Sequence, residues 1–425
     1  MRLICGPRGF SLPGKHDALQ VVLYGQADST DQGSVGDAVK AEIRRRRLDP
    51  AVRAWDFLSI ALSIATADCA GIRDLSPDGW TREFEIDIAV SDPEFWREQA
   101  SNLVAALSFL TTDRWTLRFH AGGDLPPSQR QAIRPSEDSI VLLSGGLDSL
   151  IGAIDLVAGG RQPLAVSRIV RGDGEKQLEF ARKIGGGLTH LRLNPNAHIP
   201  WKQDTSQRAR SLIFIAFGIV ASTTLACYED GQEVPLFLCE NGFIAINPPL
   251  TKGRLGSLST RTAHPAFLGG LQRVLDSAGL RVKITNPYAL KTKGEMMREC
   301  RDQTLLTEFA SRSTSCGRFQ RHKYRHCGRC IPCHVRRAAF LAWGQNTDET
   351  EYVFSQLGQD DEHHSGFVDV RSVGVALASV RQEGLDRWLG HSLSSPMITD
   401  RSAIRGMLDR GLEELNALHK LYGVK

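Results

Sequence analysis

Net charge is scarce in this chain. Its 52 basic and 48 acidic residues leave a formal charge of +4, too weak a field to hold a polyphosphate backbone by itself, so direct nucleic-acid binding is not expected. The first residues lack an export signal: Met1-Arg2-Leu3-Ile4-Cys5 reaches Gly6-Pro7-Arg8-Gly9 before an apolar region of signal length develops. Long apolar runs are also rare. Residues 211–228 carry no charge over 18 positions, the lower edge of a membrane span. The segment includes Gly218, Ser222, Thr223 and Thr224 and is flanked by Arg208 and Arg210. That composition suits a buried helix of an α/β domain, and no membrane partner is expected. Five of the nine cysteines, Cys5, Cys69, Cys227, Cys239 and Cys300, are scattered as core residues are. With no export signal, the expected setting is a reduced cytoplasm.

A chain of 425 residues suggests two to three domains at ~150 residues each. Residues 1–135 read as an α+β accessory unit, expected to bind a partner. Strands are expected at 18–24, 84–90 and 115–119, and helices at 54–67 and 95–110. The run Arg44-Arg45-Arg46-Arg47 fits a solvated helix face or an anion contact. A polar stretch at 122–138, with Pro126, Pro127 and Pro135, reads as a linker. From Ser139 strands and helices alternate: strands at 140–143, 164–170, 188–193 and 235–239, helices at 149–157, 176–184 and 210–227. This order predicts a parallel sheet covered on both faces, with ligands at the carboxyl ends of its strands. Residues 136–343 form that core unit, and residues 344–425 a helical extension. In the extension Ile404, Met407, Leu408, Leu412, Leu415, Leu418 and Leu421 recur at helical spacing and read as packing. Asp360-Asp361-Glu362-His363-His364 reads as a solvated loop.

Ser144-Gly145-Gly146-Leu147-Asp148-Ser149 carries the strongest chemistry. It joins an apolar strand to an amphipathic helix. Glycines let the backbone approach an anion, and the first helical N–H groups and the helix dipole face it. The segment lacks the GK[ST] ending of the common phosphate loop and carries an acid and two serines instead. This pattern resembles that of the PP-loop ATP pyrophosphatases, and the resemblance implies Ser144, Gly145, Gly146, Leu147, Asp148 and Ser149 as ATP contacts. Asp148 is the carboxylate for Mg²⁺, and Ser144 and Ser149 are donors to phosphate oxygens.

Other residues are candidates by position. Arg208 and Arg210 open a helix where cations oppose the dipole unless an anion is near; they are candidate phosphate contacts or an entry turn. Lys293, in Lys291-Thr292-Lys293-Gly294-Glu295, could neutralise departing pyrophosphate. Glu240 and Asn241 follow a strand and could read a base edge, while Arg254, Arg261 and His264 could bind a carboxylate or phosphate. Cys316, Cys327, Cys330 and Cys333 are spaced C-x10-C-x2-C-x2-C. Four thiolates match a closed tetrahedral Zn²⁺ site; an iron–sulfur cluster or unligated cysteines are the alternatives. Arg318, Phe319, Arg321, Lys323, Tyr324, Arg325 and Arg329 form a basic, aromatic loop. It suits nucleic acid, a nucleotide pocket or solvent.

The combination of SGGLDS, the arginine-bearing helix entry, KTKGE and a four-Cys site ending CGRCIPCHVR resembles the QueC family of PP-loop enzymes, the 7-cyano-7-deazaguanine synthases. The resemblance spans residues 138–340. It implies a core like that of the adenine nucleotide alpha hydrolases. It also implies ATP, Mg²⁺ and Zn²⁺ as cofactors and adenylation of a 7-carboxy-7-deazaguanine-type carboxylate, followed by amide or nitrile formation. Asp148, Ser149, Lys293 and Arg208 are the implied catalytic residues. The amino-terminal unit, the Cys316–Cys327 gap and the long tail depart from the housekeeping enzyme. A chain of this size, with Glu240-Asn241-Gly242 and Arg261-Thr262-Ala263-His264-Pro265, is more similar to the QatC branch, found in the Qat anti-phage system. That similarity implies an ATPase, a TatD-like nuclease and a QatB-type protein as partners, the last as possible donor of the amine. Rival readings are a PP-loop tRNA-modifying enzyme and a nucleotide-binding assembly subunit without turnover. The first needs a catalytic cysteine near the glycine loop or an iron–sulfur cluster.

Overall fold

Short aliphatic runs near the start of the chain build the first of two sheets. In the computed structural model, which describes residues 1–14, 17–204, 208–250, 261–344, 348–358, 367–393, 395 and 398–424, these strands are β1 (Arg2–Gly6), β2 (Leu19–Leu23), β3 (Gly33–Val35), β4 (Glu83–Ala89) and β5 (Arg114–His120). Their order is β3-β2-β1-β4-β5, and every pair is parallel. On the edge strand β5, Trp115, Leu117 and Phe119 are buried between exposed Arg114, Thr116 and Arg118, the alternation of a half-covered strand. The expected α+β unit thus has its strands and helices, but they alternate in parallel α/β crossovers. Parallel neighbours need such crossovers, and α1 (Val52–Ala70) and α2 (Pro93–Thr111) supply two of them.

The second sheet comprises β6 (Ser139–Leu142), β7 (Pro163–Arg168), β8 (His190–Leu193), β9 (Val234–Phe237) and β10 (Val282–Thr285). Its order is β10-β9-β6-β7-β8, again parallel throughout. The chain runs from β6 outward through β7 and β8, then returns to the other side of β6 with β9 and β10. Order therefore reverses between β6 and β9, and a crevice opens there at the carboxyl ends of the strands. The turn after β6, residues 144–149, leads into α3 (Leu147–Ala158) at that point.

The uncharged stretch forms α4 (Arg210–Ser222), buried against β6, β7 and β9 on one side and α1 on the other. Among the described residues no helix is long and apolar enough to cross a membrane. α1 is buried around nearly its whole circumference, with Asp56, Ser59, Ser63, Thr66 and Asp68 among the covered residues. Leu3 and Ile86 of the first sheet, Leu142 and Leu164 of the second, and Trp55, Phe57, Leu212 and Phe217 of the helices join in one apolar cluster. Baring such side chains costs about 2 kcal/mol each, so parting the two sheets would consume a typical domain's whole stability. A second bridge is α2 against α5 (Pro265–Ser277), where Gly270 meets Ala106.

α6 (Lys293–Glu299), α7 (Ile331–Trp343), α8 (Phe367–Glu383) and α9 (Arg401–Leu421) follow the second sheet. Ile404, Met407, Leu408, Leu412, Leu415 and Leu418 of α9 pack with Ile331 and Val335 of α7 and with Phe243 of the short helix Gly242–Ile246. Leu421, expected on the same stripe, is exposed. The Arg44–Arg47 run is a surface feature: Arg45 and Arg46 both pair with Glu42. Residues 360–364 lie outside the described residues.

Candidate active site

The turn after β6 is braced before any ligand arrives. Gly145 has φ +87°, the left-handed region that favours glycine. Its carbonyl accepts from Thr314 N–H at 3.0 Å, and the Ser144 carbonyl accepts from Gln177 Nε2 at 3.1 Å. Ser149 Oγ donates to Gly146 O (2.9 Å) and accepts from Ser144 N–H (3.2 Å). The Ser144 and Ser149 hydroxyls lie 2.9 Å apart. α3 begins at Gly146 with no side-chain cap, so its first N–H groups remain as donors for an anion. Leu147 is buried in the core and also forms part of the cavity wall.

Asp148 is the centre of a buried polar cluster. Lys293 Nζ pairs with its Oδ1, while the Asn241 backbone N–H and Nδ2 donate to Oδ2 at 3.1 and 2.7 Å. Asp148 and Lys293 are both 6 % exposed, and Asn241 is fully buried. Burial pushes the Asp148 carboxyl up, but Lys293, a hydrogen bond from Glu240 and the Asn241 amide hold it below its usual value. Glu240 moves the opposite way, well above the usual range, through burial and the neighbouring Asp148 charge. The cluster thus holds an ionised Asp148 and a protonated Glu240 beside it. Local caps set this geometry. Asn241 caps the helix Gly242–Ile246 through Oδ1 to Ile244 N–H at 3.0 Å, which turns its amide nitrogen toward Asp148. Thr292 and Glu295 form a reciprocal capping box at the start of α6, and Lys293 is the first residue of that helix. A side chain on Gly242 would collide with the Ala289 backbone, so glycine lets the two segments meet.

A cavity of about 1580 Å³ opens over this cluster. Ser144, Asp148, Ser149, Arg210, Glu240, Arg261 and Lys293 line it. The other candidates fall elsewhere. Arg208 is turned away from the loop: its guanidinium donates to Thr111 O at 2.7 Å and Thr112 Oγ1 at 3.0 Å, and stacks over Trp80 at 4.3 Å. The expected catalytic arginine is therefore a tie to the end of α2. Ala209 N–H donates to buried Asp68 at 2.7 Å, which fixes the helix entry in that direction. His264 caps α5 by accepting from Ala266 N–H at 3.1 Å and packs on Phe109 at 4.7 Å; it faces α2. Arg261 spans both roles, since it lines the cavity and donates to Phe109 O at 3.0 Å. Arg254 lies outside the described residues.

Several cavity residues escape the sequence reading. Asp173, after β7, accepts from Thr314 Oγ1 at 2.7 Å, and Lys176 donates to the same hydroxyl at 2.6 Å. Their signal was a strand end, Arg168 to Asp173, on the ligand side of the sheet. α8, part of the expected helical extension, forms the outer wall with Val368, Arg371, Ser372 and Val375, and Trp388 follows. Val368 and Val375 are 69 % and 63 % exposed; apolar side chains this open on a cavity wall suit contact with a ligand. Arg318 of the basic loop lines the cavity and pairs with Asp369 of α8 at 3.0 Å. Arg329 is buried instead and donates to Gln356 O at 3.2 and 3.1 Å. Cys239 also reaches the cavity. Burial, then Asp148, pushes its thiol far above the usual range, so it is a neutral thiol and a poor nucleophile.

Two of the four clustered cysteines, Cys316 and Cys330, reach the cavity's far wall, with Cys327 and Cys333 fully buried behind them. The sulfurs of Cys316, Cys327, Cys330 and Cys333 all lie within 4.8 Å of one another. Cys316–Cys330 and Cys327–Cys333 are 3.9 Å apart, near the ~3.8 Å edge of a tetrahedron with 2.3 Å Zn–S bonds. Backbone N–H groups of Arg318 and Cys327 donate to Cys316 Sγ at 3.3 Å, and Cys330 N–H donates to Cys327 Sγ at 3.2 Å. Those donors stabilise thiolates, so the residues fit Zn²⁺ with no open position. Gly328, at φ +85°, makes the turn between the first two α7-side cysteines.

No protein-family model matches the chain. It is similar, however, to the 7-cyano-7-deazaguanine synthase of Agrobacterium fabrum, 27 % identical over 240 residues that cover 50 % of this chain and 91 % of the relative. The similarity accounts for about one sheet's length of chain and leaves the rest without a counterpart in that relative.

Proposed function

We propose that this chain uses ATP to adenylate the carboxylate of a 7-deazaguanine-type small molecule and then forms an amide with an amine. The observation that carries the reading is the buried Lys293–Asp148 pair beside the 144–149 turn, at the switch point of a QueC-like sheet. In the first step a substrate carboxylate oxygen bonds to the α-phosphorus of ATP, and the bond to the β-phosphate oxygen breaks, releasing pyrophosphate. In the second, the amine attacks the acyl carbon, AMP leaves, and the amine nitrogen loses a proton. With ammonia as the amine, the product is a primary amide, which a second ATP would let lose water to a nitrile; an amide on a protein amine stops at the amide.

Each residue has a role in that scheme. The α3 N–H groups and the hydroxyls of Ser144 and Ser149 hold phosphate oxygens, with Gly145 and Gly146 permitting the approach. Lys293 offsets the charge of departing pyrophosphate. Asp148 keeps Lys293 in place and would hold Mg²⁺, which supplies charge neutralisation on the phosphates when bound. Arg210 reaches the same mouth of the cavity. Glu240 and Arg261 contact the substrate from the cavity wall, and buried Asn241 holds Asp148 from behind. Positioning and charge stabilisation carry the rate. Zn²⁺ on the four cysteines is structural. The α8 wall offers room for an acceptor larger than ammonia, which supports an amine borne by a QatB-type protein and a role in anti-phage defence. The parallel amino-terminal unit is the proposed partner-binding part, and the cytoplasm the proposed setting.

The test is release of AMP and pyrophosphate from ATP with 7-carboxy-7-deazaguanine, comparing wild type with Asp148→Ala. Loss of about 10²-fold or more in the variant is expected. Equal rates in both proteins, or no release from either with the acceptor present, would sink the reading. A cysteine-dependent transfer of sulfur to RNA would favour a tRNA-modifying enzyme instead; the neutral Cys239 thiol speaks against it.

A further inference from the structure

The tail helix α9 grips the turn that presents Lys293. Glu414 Oε1 accepts from Thr292 Oγ1 at 2.5 Å and its carboxyl also receives the Gly294 N–H. A side chain on Gly294 would strike the Glu414 carboxyl, so glycine there admits the acid. One turn earlier, Arg410 reaches Glu295 with Nε and Nη2 at 2.5 and 3.3 Å and donates to Leu290 O at 3.0 Å. Thr292 and Glu295 are the two halves of the capping box that starts α6. Glu414 and Arg410 therefore hold both halves of the cap from outside, more than 100 residues along the chain.

The cap does not need this help to be satisfied. Thr292 Oγ1 already accepts from Glu295 N–H at 3.1 Å, and Glu295 Oε2 from Thr292 N–H at 2.8 Å. Glu414 also sits beside the buried stripe Leu408, Leu412, Leu415 and Leu418, where an apolar residue would pack at lower cost than a desolvated acid. The groups facing it are Thr292, Gly294, Glu295 and Arg298 of the α6 segment, with Arg410 on its own helix. An acid retained at that cost fixes where the α6 start lies along α9. The start of α6 in turn sets where Lys293 Nζ meets Asp148.

We propose that Glu414, supported by Arg410, is a positioning residue for Lys293, so that the carboxyl-terminal helix sets the geometry of the ATP site. The inference rests on the proposed role of Lys293 only for its kinetic consequence; its structural content is separate.

Two readouts test it. The first is acylation of Lys293 by an activated ester, followed by peptide mass spectrometry. In Glu414→Ala its rate should rise about tenfold as the local pairing loosens, and Glu414→Gln, which keeps an acceptor for Thr292, should restore most of the protection. Lys176 and Lys40 serve as internal references, since general loosening raises all three together. An unchanged Lys293 rate, or a rise shared by all three lysines, overturns the inference whatever the turnover. The second readout is ATP-dependent pyrophosphate release. Glu414→Ala should lower kcat about 10- to 100-fold with a smaller change in KM, and should add nothing in a Lys293→Ala background. Additive losses would overturn it. A wild type that releases no pyrophosphate overturns the adenylation reading alone, because the acylation experiment still decides the role of Glu414.

Discussion

Arg208 shows how a single residue's partners decide its role. It is 7 % exposed, and burial with the nearby Arg73 charge pulls its guanidinium down to about 10. Asp113 and Asp68 offset part of that cost, both already bridged by Arg82. Removing Arg208 leaves the Thr111 carbonyl without its charged donor and uncovers Trp80. Arg208→Ala should therefore cost about 2–3 kcal/mol, read as a lower denaturant midpoint. Its folded fraction should retain wild-type turnover within about twofold, since the side chain does not reach the cavity. A turnover loss of about 10²-fold at unchanged stability would return Arg208 to the catalytic set. Asp148 presents the reverse case. Its surroundings favour charge on one carboxylate and a proton on its neighbour Glu240, which is how two acids share a buried site.

At the scale of elements, the Cys316–Cys333 segment and α7 form a clasp. Cys330 caps α7 and Cys333 lies in its first turn, so ligation orders that helix start. α7 then receives the leucine stripe of α9. One zinc per chain is expected by elemental analysis. Chelation, or Cys327→Ser, should lower Tm by more than about 5 °C and loosen α9 together with α7. A chelated protein with unchanged Tm would remove the structural role. The strand–turn–helix around residues 144–149 and the four-cysteine spacing were both legible in the sequence, because each is a contact between near neighbours in the chain. α8 was not. Its polar residues Asp369, Arg371 and Ser372 fall in no motif, and only its placement over the cavity makes Val368, Arg371 and Val375 part of the site.

Across the whole molecule, buried histidines set the response to acid. His190, His264 and His419 are pushed down to about 4, chiefly by burial. Each contributes stability that is present above an unfolded value near 6.5 and is lost as pH falls toward 4. Glu414 has the opposite sign: burial raises it to about 7, so its contribution is present below about 4.5 and fades as pH rises through 7. Glu240, also raised by burial, has the same sign as Glu414, and three histidines against these two acids leave the net trend destabilising on acidification. The denaturant midpoint should fall between pH 7 and pH 5. His264→Asn, which keeps a cap acceptor but does not titrate in this range, should flatten part of that fall. A midpoint that rises on acidification would show that the histidines are not buried in the neutral form. The continuous core through α1 and α4 predicts one cooperative transition for both sheets in the same experiment.

The sequence by itself determined the features made by residues close along the chain. These are the anion-receptive turn after β6, the capped start of α6, the cysteine cluster, and the alternation that produces parallel strands. Short-range sterics and hydrogen bonding specify them wherever the segment lies. Tertiary structure alone decided which way Arg208 faces, that α8 walls the cavity, and that Glu414 on the last helix holds the turn of Lys293. Those outcomes depend on which helices meet and at what register, and that is set by packing two apolar sheets on one shared core.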